Sequence, residues 1–139
     1  MPRLLVVDDQ PNVLYSIEKG LQFLEDSLST LRPGGISVHT TEFNFSNNSE
    51  TIDNWPSVLF QKKHFEAISE RLRTQGHSVA PLNFDVGNKP LDRFIDLPPW
   101  LHDWPSDLQK EWGHDANHIK LAIDGFACTC FGIAVKKAG

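Results

Sequence analysis

The sequence has few cysteines, no long apolar run and no excess of positive charge, and each of these excludes a class of protein. The two cysteines, Cys128 and Cys130, lie one residue apart, which matches neither a disulfide framework nor a zinc-binding Cys-x-x-Cys pair. No apolar stretch approaches the roughly 20 residues of a membrane helix, and the run at 4–7 is too short for a secretory signal. The sequence therefore predicts a cytoplasmic protein with reduced thiols and no membrane partner.

The charge balance is acidic, with 18 acidic against 13 basic residues and a net charge of −5. Such a surface disfavours broad contact with a phosphate backbone, so nucleic acid is not an expected partner. Hydrophobic residues make up 40% and charged residues 22%, close to globular averages. A length of 139 residues is enough for one domain with a buried core, and no internal repeat divides the chain.

The first third of the chain predicts a strand–helix–strand unit. Residues 3–7 form an apolar run that ends in two aspartates, which is typical of a buried strand running into a loop. Apolar residues then recur at spacings of three and four over 12–31, which predicts an amphipathic helix. A Pro-Gly-Gly turn at 33–35 ends it, and the β-branched residues of 36–43 predict a second strand. We expect the two strands to be parallel with a right-handed crossover.

The remainder predicts an exposed polar loop over 46–54, a helix over 62–74 and a third strand over 77–85. The segment 86–117 is rich in proline and tryptophan and is expected to form an irregular excursion. The last strand, within 119–137, carries apolar residues in both of its alternating phases. We therefore expect this strand to be covered on both faces.

Residues 2 to about 20, which begin Pro-Arg-Leu-Leu-Val-Val-Asp-Asp-Gln-Pro-Asn-Val-Leu, resemble the opening strand and helix of a response-regulator receiver domain. That resemblance implies that Asp8 and Asp9 bind Mg²⁺ beside a phosphorylated aspartate, and carboxylate oxygens suit this hard cation. The only acid near the acceptor spacing is Asp53, which follows a polar stretch and not an apolar strand. A phosphorelay receiver is therefore kept as an alternative.

A second resemblance covers residues 16–137. A helix that ends in Leu-Arg-Pro-Gly-Gly at 31–35 leads into a strand, another helix ends near 72–77, and the chain closes with the strand at 131–137. Together these segments resemble the C-terminal half of a class I S-adenosylmethionine-dependent methyltransferase. The resemblance implies an α/β fold with a partial doubly wound, Rossmann-like sheet that is mostly parallel with an antiparallel C-terminal strand.

The methyltransferase resemblance implies a parent activity and a cofactor. The activity is methyl transfer from S-adenosylmethionine to a small-molecule or sugar-like acceptor by in-line displacement. The glycine-rich turn and the acidic clamp that hold this cofactor in the family are absent from the sequence. Our hypothesis is a truncated or recombined reading frame that lacks the cofactor-binding half and is inactive alone. A non-catalytic interaction domain that uses the tryptophan-rich segment stays open, as does a homo-oligomer formed through an open sheet edge.

The candidate site follows from where α/β sheets bind ligands, which is beyond the carboxyl ends of their strands. Thr41, Glu42 and Asn44 end the second strand and are predicted to face a substrate, with Glu42 as a general base. In the methyltransferase interpretation Trp100 and His102 line the substrate pocket, and the alternative is that they cover a sheet edge. His39 lies in mid-strand and is expected to be packed and hydrogen-bonded.

Overall fold

The computed structural model describes residues 4–8, 16–54, 57–100 and 119–139. These residues form an α/β fold with one main sheet and two long helices. None of the helices in these ranges is both long and apolar enough to cross a membrane. In chain order the elements are β1 (Leu4–Asp8), α1 (Ile17–Ser29), β2 (Ile36–Asn44), β3 (Asp53–Asn54), β4 (Ser57–Val58), α2 (Lys62–Thr74), β5 (Ser78–Val79), α3 (Pro90–Arg93), β6 (Ile95–Asp96), β7 (Lys120–Ile123) and β8 (Phe126–Lys136).

The main sheet has six strands and is mixed. Its order is β1-β2-β8-β7-β6, and β5 pairs with β8 beyond the end of β7. The β1–β2 and β6–β7 pairs are parallel, whereas β8 runs antiparallel to β2, β5 and β7. The predicted α/β class and antiparallel C-terminal strand are confirmed. The prediction of a mostly parallel sheet is wrong, because the longest strand is central and all three of its pairings are antiparallel.

Helix α1 begins after a serine cap and ends at Ser29, and the Pro-Gly-Gly turn at 33–35 follows it. The Ser16 side chain accepts a hydrogen bond from the Lys19 amide at 3.2 Å, which satisfies one of the free donors of the first turn. At the other end Gly34 adopts φ +77°, a conformation that glycine takes without strain. The turn is tied to the end of the chain, since Gly34 N–H donates to the Lys137 carbonyl at 3.1 Å and Lys137 N–H donates to the Gly35 carbonyl at 2.8 Å.

Helix α2 spans the residues that the sequence predicts, and it packs beside α1 on the same face of the sheet. The two helices bury their apolar stripes against the central strand, and the side chains of Arg71 and Glu25 form an ion pair between them. The shared core consists of Leu24 and Leu28 from α1, Ile68 and Leu72 from α2, and Ile133 and Val135 from β8.

A cluster of phenylalanines fills the core near the carboxyl end of β2. Phe65 of α2 stacks on Phe131 of β8, with ring centroids 4.2 Å apart, and Phe84 stacks on the same Phe131 ring at 5.0 Å. The Phe43 ring meets the Phe65 ring edge-on and the Phe60 ring is tilted against it, with 5.8 Å between the ring centroids in each pair. Aromatic pairs at these separations add to the burial energy of the rings themselves.

The two faces of strand β8 are covered to different extents, since Cys128 is buried on the face that also carries Cys130 and Gly132. Phe131, Ile133 and Val135 are buried under the helices, whereas Cys130 and Gly132 are exposed on the other face. Helices α1 and α2 lie on the same side of the sheet. Among the described residues, the expectation of cover on both faces is therefore met at Cys128 but not at Cys130 and Gly132.

The C-terminal region is a hairpin and not a single strand. Asp124 and Gly125 adopt φ values of 45° and 85° and connect β7 to β8, which are the positive values required at both central residues of a type I′ turn. The predicted strand over 77–85 is also shorter than expected. Only Ser78–Val79 pairs as a strand, and Ala80 adds one further bond to the Ala134 carbonyl at 2.9 Å.

A buried lysine holds the segment before β6 against β7. Lys120 is 2% exposed, and its Nζ donates to the Val86 carbonyl at 2.6 Å. Burial lowers the pKa of Lys120, while the carboxylates of Asp92 and Asp85 oppose that shift. Asp92 is buried as well and accepts from the Lys89 amide at 3.2 Å. The position of Lys120 in the first residue of β7 therefore fixes the course of 85–92.

Candidate functional site

The carboxyl ends of β1 and β2 lie at one edge of the sheet, where ligands of α/β folds usually bind. Asp8, the last residue of β1, pairs in register with Thr40, and β2 continues from there to Asn44. Asp9 lies outside the described residues. Helix α1 begins at the same edge, and the Asp53 carboxylate accepts a hydrogen bond from the Ile17 amide. Asp53 therefore caps α1 and adds negative charge at the positive end of its dipole.

Asn44 is buried at this edge and organises the loop that follows β2. The residue is 1% exposed, and its Oδ1 accepts from the Ser46 amide, the Ser46 hydroxyl and the Asn47 amide at 3.0–3.1 Å. Its Nδ2 donates to the Glu50 carbonyl at 3.3 Å and to the Thr51 hydroxyl at 3.1 Å. The predicted contact of Asn44 with a substrate stays a prediction, and the structure gives the side chain a full set of protein partners.

Gln61 and His64 join the same loop to the start of α2. Gln61 is 1% exposed, and its Nε2 donates to the carbonyls of Asn47 and Glu50 at 2.9 and 3.0 Å. The Gln61 amide donates to Nδ1 of His64 at 3.0 Å, so the neutral ring carries its proton on Nε2. The pKa of His64 is lowered by burial and by Lys63, against the opposing charge of Asp53.

Thr41 and Glu42, predicted together as substrate-facing residues, lie on opposite faces of β2. Thr41 shares the helix-covered face with His39, whereas Glu42 is exposed and pairs in register with Cys130 on the open face. Neighbouring Cys128 is buried, and burial together with Glu42 raises the pKa of its thiol to about 11. The structure therefore does not bring Thr41 and Glu42 to one surface, and Cys128 stays a neutral thiol at pH 7.

Trp100 lies on the far side of the hairpin. It is 40% exposed, and its indole Nε1 donates to the Ala122 carbonyl of β7 at 3.0 Å. Two strands, β8 and β7, separate β2 from this position. His102 lies outside the described residues. The assignment of Trp100 and His102 to a substrate pocket stays a prediction.

His39 is the centre of a buried polar cluster between β2 and α1. It is 3% exposed, and its Nε2 lies 2.6 Å from the Ser37 hydroxyl and 2.9 Å from the Ser27 hydroxyl. The Ser27 hydroxyl donates to the Leu24 carbonyl at 2.7 Å, and the Phe23 ring meets the imidazole edge-on. The expectation of a packed, hydrogen-bonded histidine is confirmed.

This burial predicts a pH-dependent stability. Burial lowers the pKa of His39, so below the unfolded-state pKa of about 6.5 the unfolded chain binds a proton that the native state resists. The contribution is fully present above that pH and is lost as pH falls below it. We expect His39→Gln to flatten the stability profile between pH 6.5 and 5, by at most about 1.4 kcal/mol per pH unit. Urea unfolding at pH 7.5, 6.5 and 5.5 measures the slope.

His64 provides the control, because burial lowers its pKa as well. His64→Gln should flatten part of the same slope, and the double variant should flatten more than either single variant. An unchanged slope in His39→Gln would contradict the buried, neutral state of this ring.

Several residues at this edge carry roles that the sequence analysis did not assign. Asp53 bonds to Ile17, which lies 36 positions away, and Gln61 bonds to two loop carbonyls that lie 11 and 14 positions away. No local sequence pattern therefore reveals either role. The turn over 46–50 does have a local signal. Asn44 and Asn47 each accept a hydrogen bond from the amide of the serine two positions later, and an asparagine in this position favours an Asx turn. Within the described residues, which do not include the Asp8 side chain or Asp9, no three His, Cys, Asp or Glu side chains gather as metal ligands.

Comparison with known proteins adds no relative. No protein family model matches the chain, and no curated protein matches it significantly.

Proposed function

We propose that residues 16–137 form the substrate-side half of a class I S-adenosylmethionine-dependent methyltransferase-like fold, and that the chain alone has no site for that cofactor. The observation that supports this is the position of the last strand. β8 lies between β2 and β5, is antiparallel to both, and leaves those two strands parallel to each other. The Pro-Gly-Gly turn between α1 and β2 and the helix α2 before β5 also support the proposal, because the resemblance implies this order of elements.

The described residues of this chain do not fit S-adenosylmethionine. Among them the glycine pair at 34–35 is the one candidate turn, and its amides are already used, since Gly34 N–H donates to the Lys137 carbonyl and Gly35 N–H to the Arg32 carbonyl at 2.9 Å. The turn also precedes β2, at the sheet edge opposite the carboxyl ends of β1 and β2. We therefore derive no catalytic step through the cofactor.

In the parent reaction, this chain would supply the residues that bind and activate the methyl acceptor. Glu42 is the group that we propose as general base, because its carboxylate is exposed near the carboxyl end of β2. The proposed acceptor is a small or sugar-like molecule.

Two measurements on the intact chain test the proposal. Interstrand nuclear Overhauser effects should connect Gly132 with Thr40 and Lys136 with Ser78, as the antiparallel registers require. Isothermal titration with S-adenosylmethionine should give no saturable heat, with a complete class I methyltransferase as the positive control. Missing strand contacts would remove the fold proposal, and saturable binding would overturn the claim that the chain has no cofactor site.

One observation favours the receiver as a second candidate. The Asp53 carboxylate lies at the start of α1, the helix that follows β1 along the chain. Asp53, however, belongs to the small β3–β4 sheet and caps a helix, whereas a phospho-acceptor ends a strand of the main sheet. Incubation with acetyl phosphate and Mg²⁺ should give no labelling, and labelling that Asp53→Asn abolishes would favour the receiver.

A further inference from the structure

A small cavity lies between α1, α2 and the sheet, beside the His39 cluster. Its volume is about 20 Å³, and its walls are mostly apolar. Two polar residues, His39 and Thr41, contribute to its lining. The other lining residues are Gly20, Leu21, Phe23, Leu24, Phe60, Phe65 and Ile133.

One of these two polar residues, Thr41, has a buried hydrogen-bonding atom without a partner. The Thr41 hydroxyl is shielded from solvent, and none of the described residues gives it a hydrogen-bond partner. The imidazole of His39 uses its Nε2 for the two serine hydroxyls, and neither of these bonds involves Nδ1. Buried polar groups in native proteins are nearly always paired with protein or with ordered water, so the Thr41 hydroxyl indicates a missing partner.

We propose that the cavity holds one tightly bound water molecule that hydrogen-bonds both the Thr41 hydroxyl and the Nδ1 of His39. The volume is that of a single water, since about 10–15 Å³ is the minimum for one. The apolar walls offer no countercharge for an ion. An organic molecule larger than water would have to displace the surrounding leucine and phenylalanine side chains. This inference does not depend on the proposed function.

The experiment compares Thr41→Val, which removes the hydroxyl at constant shape, with Thr41→Ser, which keeps it. If the water is present, Thr41→Val removes one of its two polar partners, so a hydrogen bond is lost and the water leaves the cavity. The folding equilibrium constant should then fall about twofold to tenfold in urea titrations. If the cavity is dry, valine removes an unpaired buried hydroxyl, and the constant should be unchanged or should rise. The sign of the effect therefore decides between the two states.

A second measurement detects the water directly and does not require the valine variant to fold. Ile133 lines the cavity and has no exchangeable proton on its side chain, so its methyl groups report on a nearby water. The unmodified chain and Thr41→Ser should show a cross-peak between water and the Ile133 methyls in a rotating-frame Overhauser spectrum. Thr41→Val should lose it. Absence of the cross-peak from the unmodified chain would overturn the proposal.

Discussion

Replacing Phe65 with alanine is expected to lower the free energy of unfolding by about 3–5 kcal/mol, a large share of the roughly 5–15 kcal/mol of a small domain. The Phe65 side chain is fully buried and contacts the rings of Phe43, Phe60, Phe84 and Phe131. Removing it leaves a cavity where α2, β2 and β8 meet, and four large rings cannot all move to fill it. Urea unfolding followed by circular dichroism measures the change.

Phe65→Leu is the matched variant, because it keeps an apolar group of similar volume. Its cost should be smaller, about 1–1.5 kcal/mol. The denaturant slope should stay close to that of the unmodified chain for both variants, which would show that the native fold is retained. If alanine cost no more than leucine, Phe65 would not occupy the centre of the aromatic cluster, and the placement of α2 on β8 would be wrong.

The elements predicted best from the sequence are those whose signals are local. Helix α2 has its observed bounds because an apolar stripe at Phe65, Ile68 and Leu72 ends at a glycine, Gly76, with φ +91°. Strand β2 follows from a β-branched run after a Pro-Gly-Gly turn. Both signals depend on residues within a few positions of one another, so no knowledge of the tertiary structure is needed to interpret them.

The cover of β8 depends on which elements pack against it, and a single strand does not contain that information. Small side chains such as Gly132 and Ala134 fit a buried face as well as an open one, so the alternation of apolar residues was ambiguous. The β7–β8 hairpin is a different case. Asp124-Gly125 is a strong local signal for a type I′ turn, but the sequence analysis did not use it and predicted one strand where the structure contains a hairpin.

The candidate site shows the same division between local and long-range information. Successive strand residues point to opposite faces, so the separation of Thr41 from Glu42 follows from the strand assignment alone. The bonds of Gln61 to the loop carbonyls and of Asp53 to α1 join distant segments. Their partners are chosen by the packing of α1 and α2 on one face of the sheet, which only the folded chain specifies.

Gly87→Ala is expected to destabilise the protein by about 2–5 kcal/mol through two effects at one position. Gly87 adopts φ +77°, a conformation that costs a residue with a Cβ atom about 1–2 kcal/mol. A Cβ at this position would lie 2.4 Å from the carboxyl group of Asp92, which is 2% exposed. Overlap of this kind costs about 1–3 kcal/mol more, because buried Asp92 has little room to move. Urea unfolding gives the difference in stability.

Gly125→Ala separates the two effects. Gly125 has φ +85°, close to the value at Gly87, but an added Cβ there would meet no atom within 4 Å. Its substitution should therefore cost only the conformational part, about 1–2 kcal/mol. The excess cost of Gly87→Ala then measures how firmly Asp92 is held beside Lys120, the residue that anchors this segment to β7. Equal costs for the two variants would show that Asp92 moves freely and that this anchor contributes little to the stability of the fold.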